Sequence, residues 1–224
     1  MWKVIKYSLI VLFLYTLVGN VLHRLVFPQP IPDYEEYFKK DMVFENQWEG
    51  FSQKIIKLDG NKVFTELMIK PLADGPPLHS HTTFSETFEV KRGQLTVIMG
   101  KDTVILTRGK ALTVPLGIPH KPFNQTDKVV VVGGSKSFLP VDFAYSLSRF
   151  YGFLEEDQAN TKPPKMFLEL AILQSHFDSE LKSMPGYMQT IFGWILAPAA
   201  RLAGYNIYQE KYAPIPLKDS QFWN

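Results

Sequence analysis

The chain has 224 residues, 46% hydrophobic and 21% charged, with a formal net charge of +2, a composition that fits one ordinary folded domain with extensions. It has no lysine- or arginine-rich run, so the electrostatic footprint of a nucleic-acid binder is missing and that partner class is set aside. Cysteine is absent, which excludes a disulfide framework, a thiolate nucleophile or metal ligand and an iron–sulfur centre held by this chain. Any metal must therefore be held by nitrogen and oxygen.

From Tyr7 to Leu22 the chain runs sixteen residues without a charge, preceded by Lys3 and Lys6 and followed by His23 and Arg24. As a helix this segment covers about 24 Å, short of a hydrocarbon core of about 30 Å. Snorkelling of Lys6 and the apolar Leu25, Val26 and Phe27 make up the difference, so residues 1–27 are expected to form a membrane anchor. A cleaved secretory signal would want small residues at the end of the apolar run, and Val18, Gly19, Asn20 and Val21 offer no such pattern. A buried core helix fits poorly with a segment apolar on every face. The amino terminus, Lys3 and Lys6 outweigh Arg24, which places the N-terminus in the cytoplasm and the body of the protein outside it.

Pro28, Pro30 and Pro32 read as a stiff linker, 28–41, whose second part from Asp33 to Asp41 is polar and helical in character. Residues 42–140 alternate short β-type runs with turn residues, the pattern of a sandwich or barrel. Asp59-Gly60 separates Gln53–Leu58 from Lys62–Lys70 and signals a hairpin. Arg92-Gly93 separates Thr87–Lys91 from Gln94–Met99, Gly100-Lys101 precedes Asp102–Thr107, and Lys128–Val132 is expected to be a buried strand. Residues 141–205 change to helical period. Met166, Leu170, Leu173, Phe177, Leu181 and Met184 fall on one helix face, ended by Pro185-Gly186. A second apolar stretch, Tyr187 to Tyr205, follows, with Pro198 expected to kink it, and 206–224 is a tail.

Three of the five histidines fall in two short stretches. In Gly75 to Gly93, His79 and His81 are two apart and so share one face of a strand. Glu86 shares its face with Phe88 and Val90, whereas Thr87, Glu89 and Lys91 take the other. An inward carboxylate is costly unless paired or bound to a cation. In Gly109 to Asn124, Pro115, Gly117 and Pro119 shape a tight turn that delivers His120.

The spacing His-x-His, four residues, Glu, six residues, Gly, followed by Gly, five residues, Pro-x-Gly, two residues, His, three residues, Asn, resembles the two motifs of the cupin family. The second motif is filled at every fixed position, by Gly109, Pro115, Gly117, His120 and Asn124. The first departs at its opening glycine, where Ala73 stands and Gly75 lies two residues later. The resemblance implies a mainly β protein, a double-stranded β-helix (jelly-roll) barrel, here with an N-terminal membrane helix and a C-terminal helical extension. It also implies that His79, His81, Glu86 and His120 bind one divalent metal ion. Iron, manganese, nickel, copper and zinc all suit such a donor set. Asn124 and Gly93 read as structural.

Open coordination positions permit Lewis-acid or oxygen chemistry, and the family resemblance offers dioxygenases, isomerases, decarboxylases and non-catalytic binding or sensing proteins. The expectation is a metal-binding protein at a membrane, acting as a dioxygenase-type oxidoreductase on a small organic molecule. A non-catalytic small-molecule sensor and a metal-dependent isomerase are the alternatives. Phe84, Phe88, Met99 and Phe123 are candidates for an apolar substrate pocket, and Glu89, Lys91, Asp102 and Lys121 for acid–base partners. The C-terminal helices are expected to cover the barrel, to form a homodimer contact or to lie on the bilayer beside the anchor, rather than to make a second span.

Overall fold

The computed structural model describes residues 1–27, 31–157, 162–174 and 176–223. At the N-terminus α1 (Trp2–Leu17), a π-helical turn (Val18–Leu22) and α2 (His23–Val26) form one continuous helix. That helix is long and apolar enough, by length and composition, to cross a membrane. Pro28 and Pro30 of the expected linker lie outside the described residues. Beyond them the Asp33 side chain accepts from the Glu35 and Glu36 N–H groups and caps α3 (Tyr34–Tyr37), which is shorter than the helical stretch expected.

Eleven strands follow: β1 (Met42–Asn46), β2 (Phe51–Asp59), β3 (Lys62–Ile69), β4 (His79–Ser80), β5 (Glu86–Arg92), β6 (Gln94–Met99), β7 (Asp102–Thr107), β8 (Ala111–Val114), β9 (His120–Phe123), β10 (Val130–Val132) and β11 (Phe138–Pro140). The extension adds α4 (Val141–Glu156), α5 (Lys165–Leu173), β12 (Glu180–Leu181) and α6 (Gly186–Leu202), and the tail adds β13 (Ile215–Pro216). All the pairings are antiparallel. One sheet runs β13-β1-β2-β3-β10-β5-β8, with β11 also on β3, and the other runs β12-β4-β9-β6-β7. The chain is thus mostly β with helices, as expected, and the two sheets enclose a core that includes Ile55, Val63, Ile69, Leu95, Val97 and Val130.

The turn signals are realised with two adjustments. Asp59 pairs with Lys62, so the first hairpin loop is Gly60-Asn61 rather than Asp59-Gly60. At Gly93 the chain changes sheets, because β5 pairs with β10 and β8 while β6 pairs with β7 and β9.

The single helix face expected from Met166 to Met184 is a correction. α5 ends at Leu173, and Leu181 lies in β12, where it pairs with His79 while Glu180 pairs with Ser80. The two-residue strand β4 would otherwise expose unpaired backbone groups along one side, and satisfying them outweighs continuing the helix. In the same way the tail is not free-standing, since Ile215 and Pro216 pair with Val43 and Met42. Pro198 sits inside α6.

Candidate metal centre

Both sheets contribute to the site. In the second sheet His79 pairs with His120, and His120 also lies opposite Met99. Glu86 opens β5 in the first sheet, where Phe88 and Val90 on its face are almost fully buried. One ligand atom from each of His79, His81, Glu86 and His120 lies within 4.8 Å of every other, and the three imidazole centroids are 4.5 to 5.1 Å apart.

The tautomers follow from the partners. His79 Nδ1 is 2.8 Å from the Pro77 carbonyl, His120 Nδ1 is 3.0 Å from the Ile118 carbonyl, and His81 Nδ1 contacts the Asp178 carbonyl. A carbonyl oxygen can only accept, so each Nδ1 carries a hydrogen and each Nε2 is the ring nitrogen turned towards the centre. There Glu86 Oε2 lies 2.8 Å from His120 Nε2 and 3.5 Å from His81 Nε2. His81 Nε2 is buried without a hydrogen-bond partner. Three imidazole Nε2 atoms converging on one carboxylate are the donor set of a nitrogen–oxygen metal site, so the residues fit a divalent metal.

The electrostatics differ from ring to ring. Burial lowers the His79 pKa to about 4 against the pull of Glu86, which keeps the ring neutral. Burial opposes protonation of His81 too, but Glu86 and Asp178 outweigh it and raise its pKa. Burial pushes Glu86 up, while His120 and His81 bring it well below the ordinary carboxylate range.

The motif glycines and Asn124 hold the frame. The Gly117 N–H donates to the His81 carbonyl at 2.7 Å. Asn124 donates to the Lys70 and Lys128 carbonyls and accepts from Thr126, a structural role. Gly75 takes φ +69°, and a β-carbon there would lie 2.2 Å from the Pro122 oxygen. The glycine demanded by that close approach is therefore present two residues after the position where the motif usually has it.

Of the four apolar candidates, Phe84 stacks on the His81 ring at 4.2 Å, and Phe88 lies 6.3 Å from the His120 ring. Met99 is His120's cross-strand neighbour. Phe123 is placed elsewhere: it shares its strand face with Lys121, whose ammonium lies 5.9 Å from its ring, while His120 and Pro122 point to the buried side. Lys91 and Lys121 pair with Glu66 and Asp74, and Asp102 is exposed beside the β6–β7 turn.

The extension supplies groups that the motifs did not reveal. The Phe143 ring of α4 stands 5.0 Å from both His81 and Phe84, and Phe177 stacks on it at 5.3 Å. Asp178 does more than offer its carbonyl to His81. Its carboxylate accepts from the Thr82 N–H (2.9 Å) and hydroxyl (2.7 Å) and from the Thr83 N–H (2.7 Å) and hydroxyl (2.6 Å). The Thr82-Thr83 pair does signal two donors in need of an acceptor, but nothing in the sequence names a residue so far along the chain.

Residues 65–133, which include all four residues of the cluster, match the family model described as the cupin domain. This part of the chain is a cupin domain. No curated protein matches the chain. Among solved structures, a cupin-2 domain containing protein from Shewanella frigidimarina is 19% identical, over 39% of this chain and 78% of that one, with a TM-score of 0.33. KdgF from a Halomonas species is 19% identical, over 43% and 86%, with a TM-score of 0.36. A sugar phosphate isomerase of the cupin superfamily from Silicibacter pomeroyi is 18% identical, over 47% and 76%, with a TM-score of 0.34.

Proposed function

We propose that the cupin domain holds one divalent metal on His79, His81, Glu86 and His120, and works at a membrane as a dioxygenase-type oxidoreductase on a small apolar molecule. The observation that carries this reading is the set of three imidazoles whose Nδ1–H groups are tied to carbonyls, leaving three Nε2 atoms to face one carboxylate. A metal bound there supplies Lewis acidity and, where redox-active, electron transfer.

The chain's own residues do the rest. The carbonyls fix the rings, Glu86 provides the charge, and Phe84 and Phe143 give His81 an apolar, water-poor wall suited to an apolar substrate. An isomerase needs a proton carrier beside the metal, and Lys91 and Lys121 are engaged by Glu66 and Asp74 while the Asp178 carboxylate is occupied by Thr82 and Thr83. These three groups are therefore not free to carry that proton.

The anchor reading is supported by a 25-residue helix, Trp2–Val26, whose most apolar 18 residues are 6% buried. At 1.5 Å per residue it is about 37 Å long, enough to cross with some tilt. Lys3 and Lys6 in its first turns orient the cupin domain away from the cytoplasm.

Elemental analysis of protein from its native membrane fraction, set beside a His79→Ala, His120→Ala double variant, tests the centre. One equivalent in the first and almost none in the second is expected, and equal content would overturn it. Oxygen consumption by the metal-loaded protein with apolar candidate substrates tests the chemistry. Binding of metal and ligand without turnover would replace it with a sensor.

A further inference from the structure

The N-terminal helix does not stand clear of the body. Leu12, Phe13 and Thr16 of α1 and Ile191, Trp194 and Ile195 of α6 line one apolar groove of about 460 Å³. Further along, Gly19 meets Pro198 so closely that a β-carbon at position 19 would lie 2.3 Å from the proline Cβ. The Asn20 amide donates to the Trp194 carbonyl at 2.8 Å, and the Arg201 guanidinium donates to the Gly19 carbonyl at 2.5 Å and to Asn20 Oδ1 at 3.0 Å. The contacts climb both helices in the same order, so the two lie side by side and point the same way, and because Gln189 is hydrogen-bonded to Leu181, which pairs with His79, the β4–β12 edge of the barrel lies alongside the pair. Depth along the first is depth along the second.

The outward face of α6 suits hydrocarbon. Tyr187, Ile191, Phe192, Trp194 and Leu202 are between 47% and 88% exposed. Its polar side chains are satisfied within the protein: Gln189 donates to the Leu181 and Met184 carbonyls, the exposed Thr190 to the Gly186 carbonyl of its own helix, and Arg201, the single charge on the helix, to the anchor. A helix in lipid must satisfy its polar groups within the protein, because no water is there to do it. Asn20, 5% exposed in an otherwise exposed apolar helix, is satisfied by α6 in the same way.

We propose that α6 is a second membrane-embedded element, its Tyr187–Ile191–Trp194 face in contact with the acyl chains of the bilayer. The cupin domain is then seated on the membrane by two helices rather than tethered above it by a linker. This rests on the reading of the N-terminal helix as an anchor, since the register between the helices transfers the depth of Phe13 and Thr16 to Ile191 and Trp194.

The cysteine-free chain makes the test direct. Nitroxide labels are placed singly at Ile191→Cys, at Phe13→Cys and at Ile105→Cys, an exposed position on the barrel. The full chain is reconstituted in phosphatidylcholine vesicles, and collision of each label with oxygen and with a water-soluble nickel chelate is measured. Exclusion of the chelate from hydrocarbon should raise the oxygen-to-nickel ratio at Ile191 and Phe13 by about tenfold over Ile105. Phe13 in lipid with Ile191 in water would overturn the embedding of α6 and leave the anchor standing. Both labels in water would overturn the anchor reading and the proposal with it. An Ile191 label shielded from both collision partners would mean that a second copy of the chain covers this face, and would also overturn the proposal.

Discussion

Replacing Asp178 with alanine probes whether the extension completes the metal centre or merely packs beside it. The substitution keeps the carbonyl that meets His81 Nδ1 but removes the carboxylate that holds Thr82 and Thr83, and with it the clamp between this segment and the residues after His81. Two backbone N–H groups lose a charged acceptor. At about 1 kcal/mol per bond, discounted because water reaches a half-exposed site, the loss of stability is about 1–2 kcal/mol. The larger effect is on the metal, because outer partners of a ligating histidine are worth about 10- to 100-fold in affinity. The lower end, about tenfold, is expected here because the carbonyl itself survives. Asp178→Asn retains one acceptor oxygen and should lose less. Competitive titration of cobalt(II) or zinc against a chromogenic chelator reads the affinity, and urea denaturation of the same samples reads the stability. A folded Asp178→Ala protein with unchanged metal affinity would refute a positioning role.

The metal-free protein should lose stability as pH falls from about 6.5 to about 4, because in that window the unfolded chain binds a proton at His79 that the fold refuses, a slope of up to about 1.4 kcal/mol per pH unit. His81, raised, contributes stability at lower pH that is lost as pH rises through its folded value, and Glu86, lowered, contributes stability that is lost only in stronger acid. The His79→Gln variant should therefore flatten that window in urea titrations across pH, and a persisting slope would point to another group. Arg149 and Glu169 form an ion pair with side chains 0% and 1% exposed. Arg149→Met alone should cost about 3–5 kcal/mol, and the Arg149→Met, Glu169→Leu double variant should recover most of it; chemical denaturation of both decides, and equal loss in the two would contradict a charge left stranded. Gly75→Ala and Gly100→Ala each impose a left-handed backbone on alanine, at about 1–2 kcal/mol. Only the first drives a β-carbon against a backbone oxygen, so it should be clearly the more damaging in thermal melts.

The clustering of His79, His81 and Glu86 was legible because strand geometry converts a two-residue spacing into a shared face, and because an inward carboxylate among Phe88 and Val90 demands a partner. The same period, applied to Phe123, sets that pocket candidate aside, because its odd step from His120 carries it to the Lys121 side. The helical pattern from Met166 to Met184 misled for a different reason. Leu181 keeps an apolar spacing that any buried element would show, and what decides its structure is the open backbone of β4, a partner about 100 residues earlier in the chain. Asp178 stayed hidden on the same account. Contacts made across the chain leave no local period, and a carboxylate that binds threonines looks, in sequence, like any surface carboxylate.

The reach of β12 back to β4 and of β13 back to β1 also fixes an order of events. Closing contacts this distant in sequence requires almost the whole chain, which makes them late steps and raises the contact order of the fold. A chain emerging from its N-terminus presents His79, His81, Glu86 and His120 long before Glu180 and Leu181 can pair with β4, or Asp178 can fix the His81 ring. Until then the two-residue β4 strand has an open side, able to pair with the wrong partner. The metal centre is therefore among the first parts of this protein to be synthesised and among the last to be finished.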